Sequence, residues 1–302
     1  MSPSTLNTSL MKATSLLIVL ILATFSVRGQ DDLMDILNAN TDDNGGVVTA
    51  TFKSTRLING HSIETRPQGV LEFVIGHRFG PINSGGEFLW GLDGAQIRLG
   101  LEYGVTDRLN VGIGRSSFDA VFDFFGKYKL LRQSSTMPVS STLFVSMARN
   151  TNQNFDEVIG AGFVGEHRNA YTYQLLIARK IDSRLSLQVM PTLVHRNYVE
   201  TRAEPNDLVA IGVGGRFKIT NRVTINAEYY PTVNQADDTR FQDAVAIGVD
   251  IETGGHVFQL HLTNAQEINE RGFIGQTTGD FLDGGIHFGF NISRVFNIAV
   301  KE

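Results

Sequence analysis

From residue 69 onward, apolar and polar residues of this chain alternate in short runs separated by turn-forming residues. Ile97, Leu99, Leu101 and Tyr103 alternate with Gln96, Arg98, Gly100 and Glu102. A few residues on, Leu109, Val111 and Ile113 alternate with Asn110, Gly112 and Gly114, and the two runs meet at Val105-Thr106-Asp107-Arg108. A period of two marks a β-strand whose faces meet different surroundings, and a tight polar turn between two such runs makes a hairpin. The same grammar recurs in "VTDRLNV" (105–111), "IDSRLSL" (181–187) and "ITNRVTI" (219–225). A glycine version, "ETGGHVF", lies at 252–258, and a truncated echo, "ISRVFNI", at 292–298. Units this short are recurrent hairpins, not solenoid repeats.

Walking outward from the turns places strands near 69–79, 95–104, 108–117, 118–131, 139–149, 171–180, 185–195, 208–218, 223–230, 243–252, 257–263 and 284–292. Short connections (105–107, 132–138, 181–184, 219–222, 253–256) alternate with long ones (80–94, 150–170, 196–207, 231–242, 264–283), except at an abrupt join near 117. Alternating loop lengths are the rhythm of an all-β, closed antiparallel transmembrane β-barrel with short periplasmic turns and longer outer loops. The first strand begins on the periplasmic side and the last returns there, so the count is even: about twelve strands, with ten or fourteen as the alternatives. An open sheet in lipid would leave its edge amides unsatisfied at several kcal/mol each, which requires closure. A secreted soluble β-protein would alternate in the same way, with its apolar rows turned to a core.

Energetics choose which face meets lipid. An arginine on the lipid face near the midplane costs roughly 2–4 kcal/mol, so Arg98 points inward and its register carries the whole strand with it. Leu71, Phe73, Ile75 and Phe79 then face outward, with Glu72 and Arg78 inward. Phe118, Phe122, Phe124, Tyr128 and Leu130 oppose Asp119, Asp123, Lys127 and Lys129, and Ile286, Phe288, Phe290 and Ile292 oppose His287 and Asn291. The candidate lumen-lining residues are therefore Glu72, Arg78, Arg98, Glu102, Asp119, Asp123, Lys127 and Lys129. Tyr103, Phe118, Tyr128, Tyr171, Tyr173, Tyr229 and Tyr230 fall near strand ends, where aromatic belts sit at the membrane interfaces. Pro191 removes a ladder donor in mid-strand, which predicts a bulge or an early strand end.

The N-terminus adds an address. Lys12 precedes the apolar run "LLIVLILATF" (16–25), too short to cross a bilayer core and followed by small residues and "QDD". Residues 1–29 read as a secretory signal peptide, 30–68 as an N-terminal arm and 69–302 as the barrel, in the bacterial outer membrane. The acidic stretch 31–46 starts as a short helix and lacks the loop spacing of an EF-hand. Residues 47–58, "VVTATFKSTRLI", look strand-like and form an extra edge strand, a periplasmic extension or a segment folded into the lumen. A net charge of −5 without a basic block points away from nucleic acid, and the chain has no cysteine for disulfides or thiol chemistry.

Candidate chemistry is sparse. The seven histidines, at 61, 77, 167, 195, 256, 261 and 287, form no close metal-binding pair; His256 falls in a turn, while His261 and His287 belong to the lumen row. "NGHS" (59–62) sets His61 beside Ser62, but adjacency does not make triad geometry, and no G-x-S-x-G elbow is present. Outer-membrane phospholipases are also twelve-stranded barrels, yet the pattern of a histidine two residues before serine, asparagine and glycine is missing; "HLTNAQ" (261–266) imitates only its polarity. No catalytic, cofactor-binding or metal-ligating residue is nominated. Inward charges either pair and fill the lumen or form rings that select ions.

Several stretches together resemble an uncharacterised family of outer-membrane β-barrel proteins from Bacteroidetes-type bacteria, a domain of unknown function. They are "TFKSTRLINGHSIET" (51–65), "HRFG" (77–80), "YGVTDRLNVGIGRSS" (103–117), "GGHVFQLHLTN" (254–264) and "GGIHFGFNISRVF" (284–296). The resemblance implies a barrel in the outer membrane, brings no catalytic residues, and makes "FKSTRLINGHSIET" part of the family's core pattern. The expected function is a passive narrow pore for small solutes or a structural and docking barrel, with outer-membrane lipid as its surroundings. The alternatives are a lipid hydrolase of the phospholipase type, and binding of a surface partner by loops 150–170 and 264–283.

Overall fold

Each alternating run forms a strand, and the strands close on themselves. The computed structural model describes residues 46–236, 240–253 and 256–298, so the expected signal peptide (1–29) and the expected short helix at 31 lie outside the described residues. In chain order the strands are β1 (Val70–Pro81), β2 (Ala95–Gly104), β3 (Leu109–Ser116), β4 (Val121–Leu131), β5 (Ser140–Asn150) and β6 (Asn169–Lys180). There follow β7 (Leu185–Arg196), β8 (Asp207–Lys218), β9 (Val223–Tyr230), β10 (Ala244–Thr253), β11 (His256–Thr263) and β12 (His287–Asn297). Each pairs antiparallel with its neighbours in sequence, and β12 closes the barrel on β1 from Val70↔Asn297 to Pro81↔His287. The twelve-stranded closed antiparallel barrel is the architecture the alternation predicts. Closure leaves no edge whose amides would need lipid as a partner.

The two faces separate as the arginine argument requires. In β2, Ile97 and Leu99 are 40% and 48% exposed, while Arg98 and Glu102, on the alternate positions, are 2% and 3% exposed. In β4, Phe122, Phe124, Tyr128 and Leu130 are exposed, and Asp123, Lys127 and Lys129 are buried. A belt of large apolar side chains thus covers the outside, which suits a hydrocarbon solvent.

Several local expectations are corrected. β4 begins at Val121, because Asp119 and Ala120 take φ of 51° and 52° and turn the chain sharply out of β3. Asp119 therefore belongs to the turn at the long-loop end, not to the inward row of a strand. "ISRVFNI" is no turn: its residues through Asn297 are the end of β12 on β1. His256 opens β11. Pro191 neither bulges nor ends β7; the β6–β7 ladder lapses between Gln174↔Thr192 and Ile177↔Val189 and resumes in the same register, while Pro191 stays paired with Ile211 of β8. Tyr230 is no belt residue. It is fully buried while Tyr229 is exposed, since neighbours in a strand point to opposite faces.

Residues 47–68 contain no strand; isolated bridges join Val47 to Ser134 and Arg56 to His61. Of the three placements the sequence left open for 47–58, the structure takes the lumen: Phe52, Leu57, Ile58 and Ile63 are at most 4% exposed. Two short helices lie in the long connections, α1 (Phe155–Ile159) and α2 (Glu270–Gly275), and every residue of α2 is buried.

Candidate functional site

An irregular chain inside a barrel must find partners for its backbone groups, and the walls supply them. The segment enters beside Ser134 at the short-turn end, folds into a tight turn at Leu57–Gly60 (Leu57 N–H to Gly60 O, 2.8 Å), and returns to β1. At the tip, Glu228 of β9 accepts the N–H groups of Asn59 (2.6 Å) and Gly60 (3.2 Å). Gln188 of β7 clamps the returning chain, accepting from Ile63 N–H at 2.8 Å and donating to His61 O at 2.9 Å. Thr142 donates to Ile63 O, Asn291 to Ile58 O, Gln259 to Leu57 O, and Lys127 to Glu64 O. The apolar side chains of the segment pack with inward Phe125, Phe144, Leu176 and Met190, a core of the kind found inside soluble proteins. Each such side chain is worth roughly 1.5–3 kcal/mol when fully buried.

Seven of the eight candidate lumen residues lie buried on inward strand positions, and most bind the segment or each other. Glu72 receives Arg66 through Nε (2.8 Å) and Nη2 (2.7 Å) and Thr55 Oγ1 at 3.0 Å. Arg78 donates to Asn59 Oδ1 at 2.8 Å and to Asn291 Oδ1 at 3.2 Å. Glu102 accepts from Asn110 at 2.7 Å and stands 3.9 Å from Lys127, while Lys129 lies 3.6 Å from Glu64. Arg98 grips Asp123 with both Nε and Nη2. The eighth, Asp119, lines a cleft at the long-loop end.

The bare glycines of the inward face have a steric reason. A Cβ on Gly114 would sit 2.1 Å from Arg98 Nη2, and one on Gly112 would sit 2.1 Å from Phe125 Cζ. The glycines leave room for large side chains from neighbouring strands. Removing Arg98 strands the Asp123 carboxylate in a site 2% exposed. Arg98→Ala is therefore expected to destabilise the barrel by about 3–5 kcal/mol, read as a lower temperature for the loss of the folded gel mobility. An unchanged temperature would refute the pairing.

From the long-loop end, residues 264–277 descend to meet the N-terminal segment. Sequence alone assigned this stretch to an outer loop, but Ala265, Ile268, Phe273 and Ile274 are at most 4% exposed. Asn269 caps α2 by accepting the Gly272 N–H at 3.0 Å. Glu270 Oε1 lies 3.6 Å from both Arg56 Nη1 and His61 Nε2, so the two segments touch through a charged contact. Burial holds His61 well below its ordinary range, neutral between the rings of Phe125 and Phe144.

Burial also raises Glu267 to about 7, with Arg271 opposing and Asp119 reinforcing the shift. A carboxyl group raised in the folded state binds its proton more tightly there than when undocked. Docking is thus strongest below the ordinary glutamate value of 4.5 and weakens as pH rises through about 7. The full swing is on the order of 3 kcal/mol. Melting of the folded gel form at pH 5 and pH 8 should show this dependence, and Glu267→Gln should reduce it while leaving the contributions of the other buried groups, Glu270 and His61 among them. Equal pH dependence in both proteins would contradict the assignment.

His61 and Ser62 do not act on each other. Neither ring nitrogen of His61 has a hydrogen-bond partner, and Ser62 Oγ donates to Ser54 O at 2.6 Å. The elements that the sequence reading missed are the apolar inward residues and the lumen turn. Asn59-Gly60 between alternating residues is a strong hairpin signal, and paired apolar neighbours such as Phe124-Phe125 and Leu175-Leu176 mark strands buried on both faces.

Residues 52–296 match the model of a family described as "Membrane bound beta barrel domain (DUF5777)", so the match takes in most of the lumen segment as well as the barrel. No curated protein matches the chain. Among solved structures, a KdgM porin in complex with disordered oligogalacturonate is similar at 9% identity and TM-score 0.46, over 75% of this chain and 99% of that one. The COG4313 outer membrane channel from Pseudomonas putida F1 is similar at 15% identity and TM-score 0.45, over 78% and 98%. The outer membrane protein Omp33 of Acinetobacter baumannii is similar at 10% identity and TM-score 0.42, over 76% and 100%.

Proposed function

The chain belongs to this family of membrane-bound β-barrel domains, and from that premise we propose that it is a self-closed outer-membrane barrel that serves as a docking element at its long-loop end. The observation that carries the reading is the occupied lumen: one segment from each end, joined where Glu270 meets Arg56 and His61. Hydrogen bonds from at least seven wall residues, among them Glu228, Gln188 and Arg78, hold the N-terminal segment in place. A passive pore for small solutes is the competing reading, and it requires both segments to leave. Liposomes carrying the refolded protein should not swell in small neutral sugars, whereas a chain lacking both residues 47–66 and residues 265–277 should admit them faster. Swelling by the intact protein at the rate of an open pore would overturn the closed reading.

A further inference from the structure

The cleft at the long-loop end has a volume of about 180 Å³, enough for several waters at about 30 Å³ each or for one small ring. Its charges are largely matched: Arg196 pairs with Glu204 at 3.4 Å, Glu200 with Arg240 at 2.6 Å, and Arg168 with Asp156 at 3.6 Å. Arg271 is the exception among the cleft's arginines. It is 9% exposed, makes no hydrogen bond or ion pair among the described residues, and its Nη1 is buried without a partner. A guanidinium held this way is incomplete without an acceptor, and carboxylates fit its fork best.

Other donors converge on the same space. The side-chain oxygens of Asn150 and Asn152 accept backbone N–H groups within their own turn, at 2.8 and 3.1 Å, which leaves their NH2 groups as donors. One wall is aromatic: Phe155 and Tyr198 meet edge to face at 6.0 Å, with His167 5.8 Å from Tyr198. Such a wall stacks against the flat side of a ring. Asp119 lines the cleft as well and is the one group there that opposes an incoming anion without an ion pair of its own among the described residues.

We propose that this cleft binds a small ring-bearing carboxylate, with Arg271 receiving the carboxylate and the Phe155–Tyr198 wall receiving the ring. The proposal rests on the docking reading, in which the long-loop end is the surface that meets solutes. Sugar acids and aromatic acids share this chemistry. Calorimetric titration of the folded protein with glucuronate and with benzoate distinguishes them, with glucose and acetate as the probes lacking the carboxylate and the ring. At least one ring acid should bind more than tenfold tighter than either control. Arg271→Gln should weaken it at least tenfold, Asp119→Asn should tighten it, and Tyr198→Ala should weaken the ring acid while leaving acetate unchanged. The Tyr198 variant keeps the test valid should Arg271→Gln disturb the fold.

Absence of binding by both ring acids, or glucose binding as well as glucuronate, would overturn the proposal. The swelling assay on the same sample is independent. Binding by a freely permeable barrel would sink the closed reading and keep the site, and a closed barrel without binding would do the reverse.

Discussion

Replacing Glu228 with alanine should undock the lumen segment. Its carboxylate accepts two backbone N–H groups at the tip of the turn, those of Asn59 and Gly60, in a site 3% exposed. Its removal orphans two buried donors, at about 1–3 kcal/mol each. Together these exceed the hold of any single apolar contact in the segment. Hydrogen exchange of residues 55–63 should accelerate by two or more orders of magnitude in Glu228→Ala. Protection equal to that of the parent would show that the tip is not held there.

Gly60→Val should have an effect of similar size by a steric route. A Cβ at Gly60 would lie 1.8 Å from Tyr230 Oη and 2.9 Å from its Cζ. Tyr230 cannot step aside easily. It is fully buried, donates to Met190 Sδ at 3.1 Å, and meets Phe273 of α2 edge to face with centroids 5.0 Å apart. The turn must therefore back out of its seat, or push Tyr230 into α2 and loosen the second segment. Overpacking of this kind costs typically 1–3 kcal/mol even where neighbours can adjust, and here they are locked. Gly162→Val is the matched control, since a Cβ there meets nothing within 4 Å. Fast exchange of residues 55–63 in Gly60→Val but not in Gly162→Val is the expected result. Equal protection in the two would contradict the close approach.

The barrel was legible because lipid imposes a hard rule on every strand. Arg98 and Lys127 cannot face hydrocarbon, so one charge per strand sets the register of its neighbours. Strand ends were less legible where local geometry intervened, as at Asp119, whose left-handed backbone ends the alternation early. The lumen was legible only in part. Charges such as Glu72 and Arg78 announce an inward row, but not whether they face water or another segment. That depends on contacts distant in sequence: Glu228 lies 169 residues from Asn59, and Gln188 lies 125 from Ile63. Inward Phe125, Phe144 and Met190 were the available sign, since a water-filled channel gives no reason to point them inside. Arg271 was hidden for another reason. It lies in a stretch whose length suggests an outer loop, and only the descent of α2 brings it beside Asn150 and Tyr198.

The central claim is that this barrel is closed by its own chain. Single-channel recording of the intact, refolded protein in a planar bilayer tests it most directly, with heat-dependent gel mobility as the proof of folding. A folded protein that inserts and gives no steady conductance steps is the predicted result. Steady open steps from the intact chain, without denaturant or truncation, would contradict it.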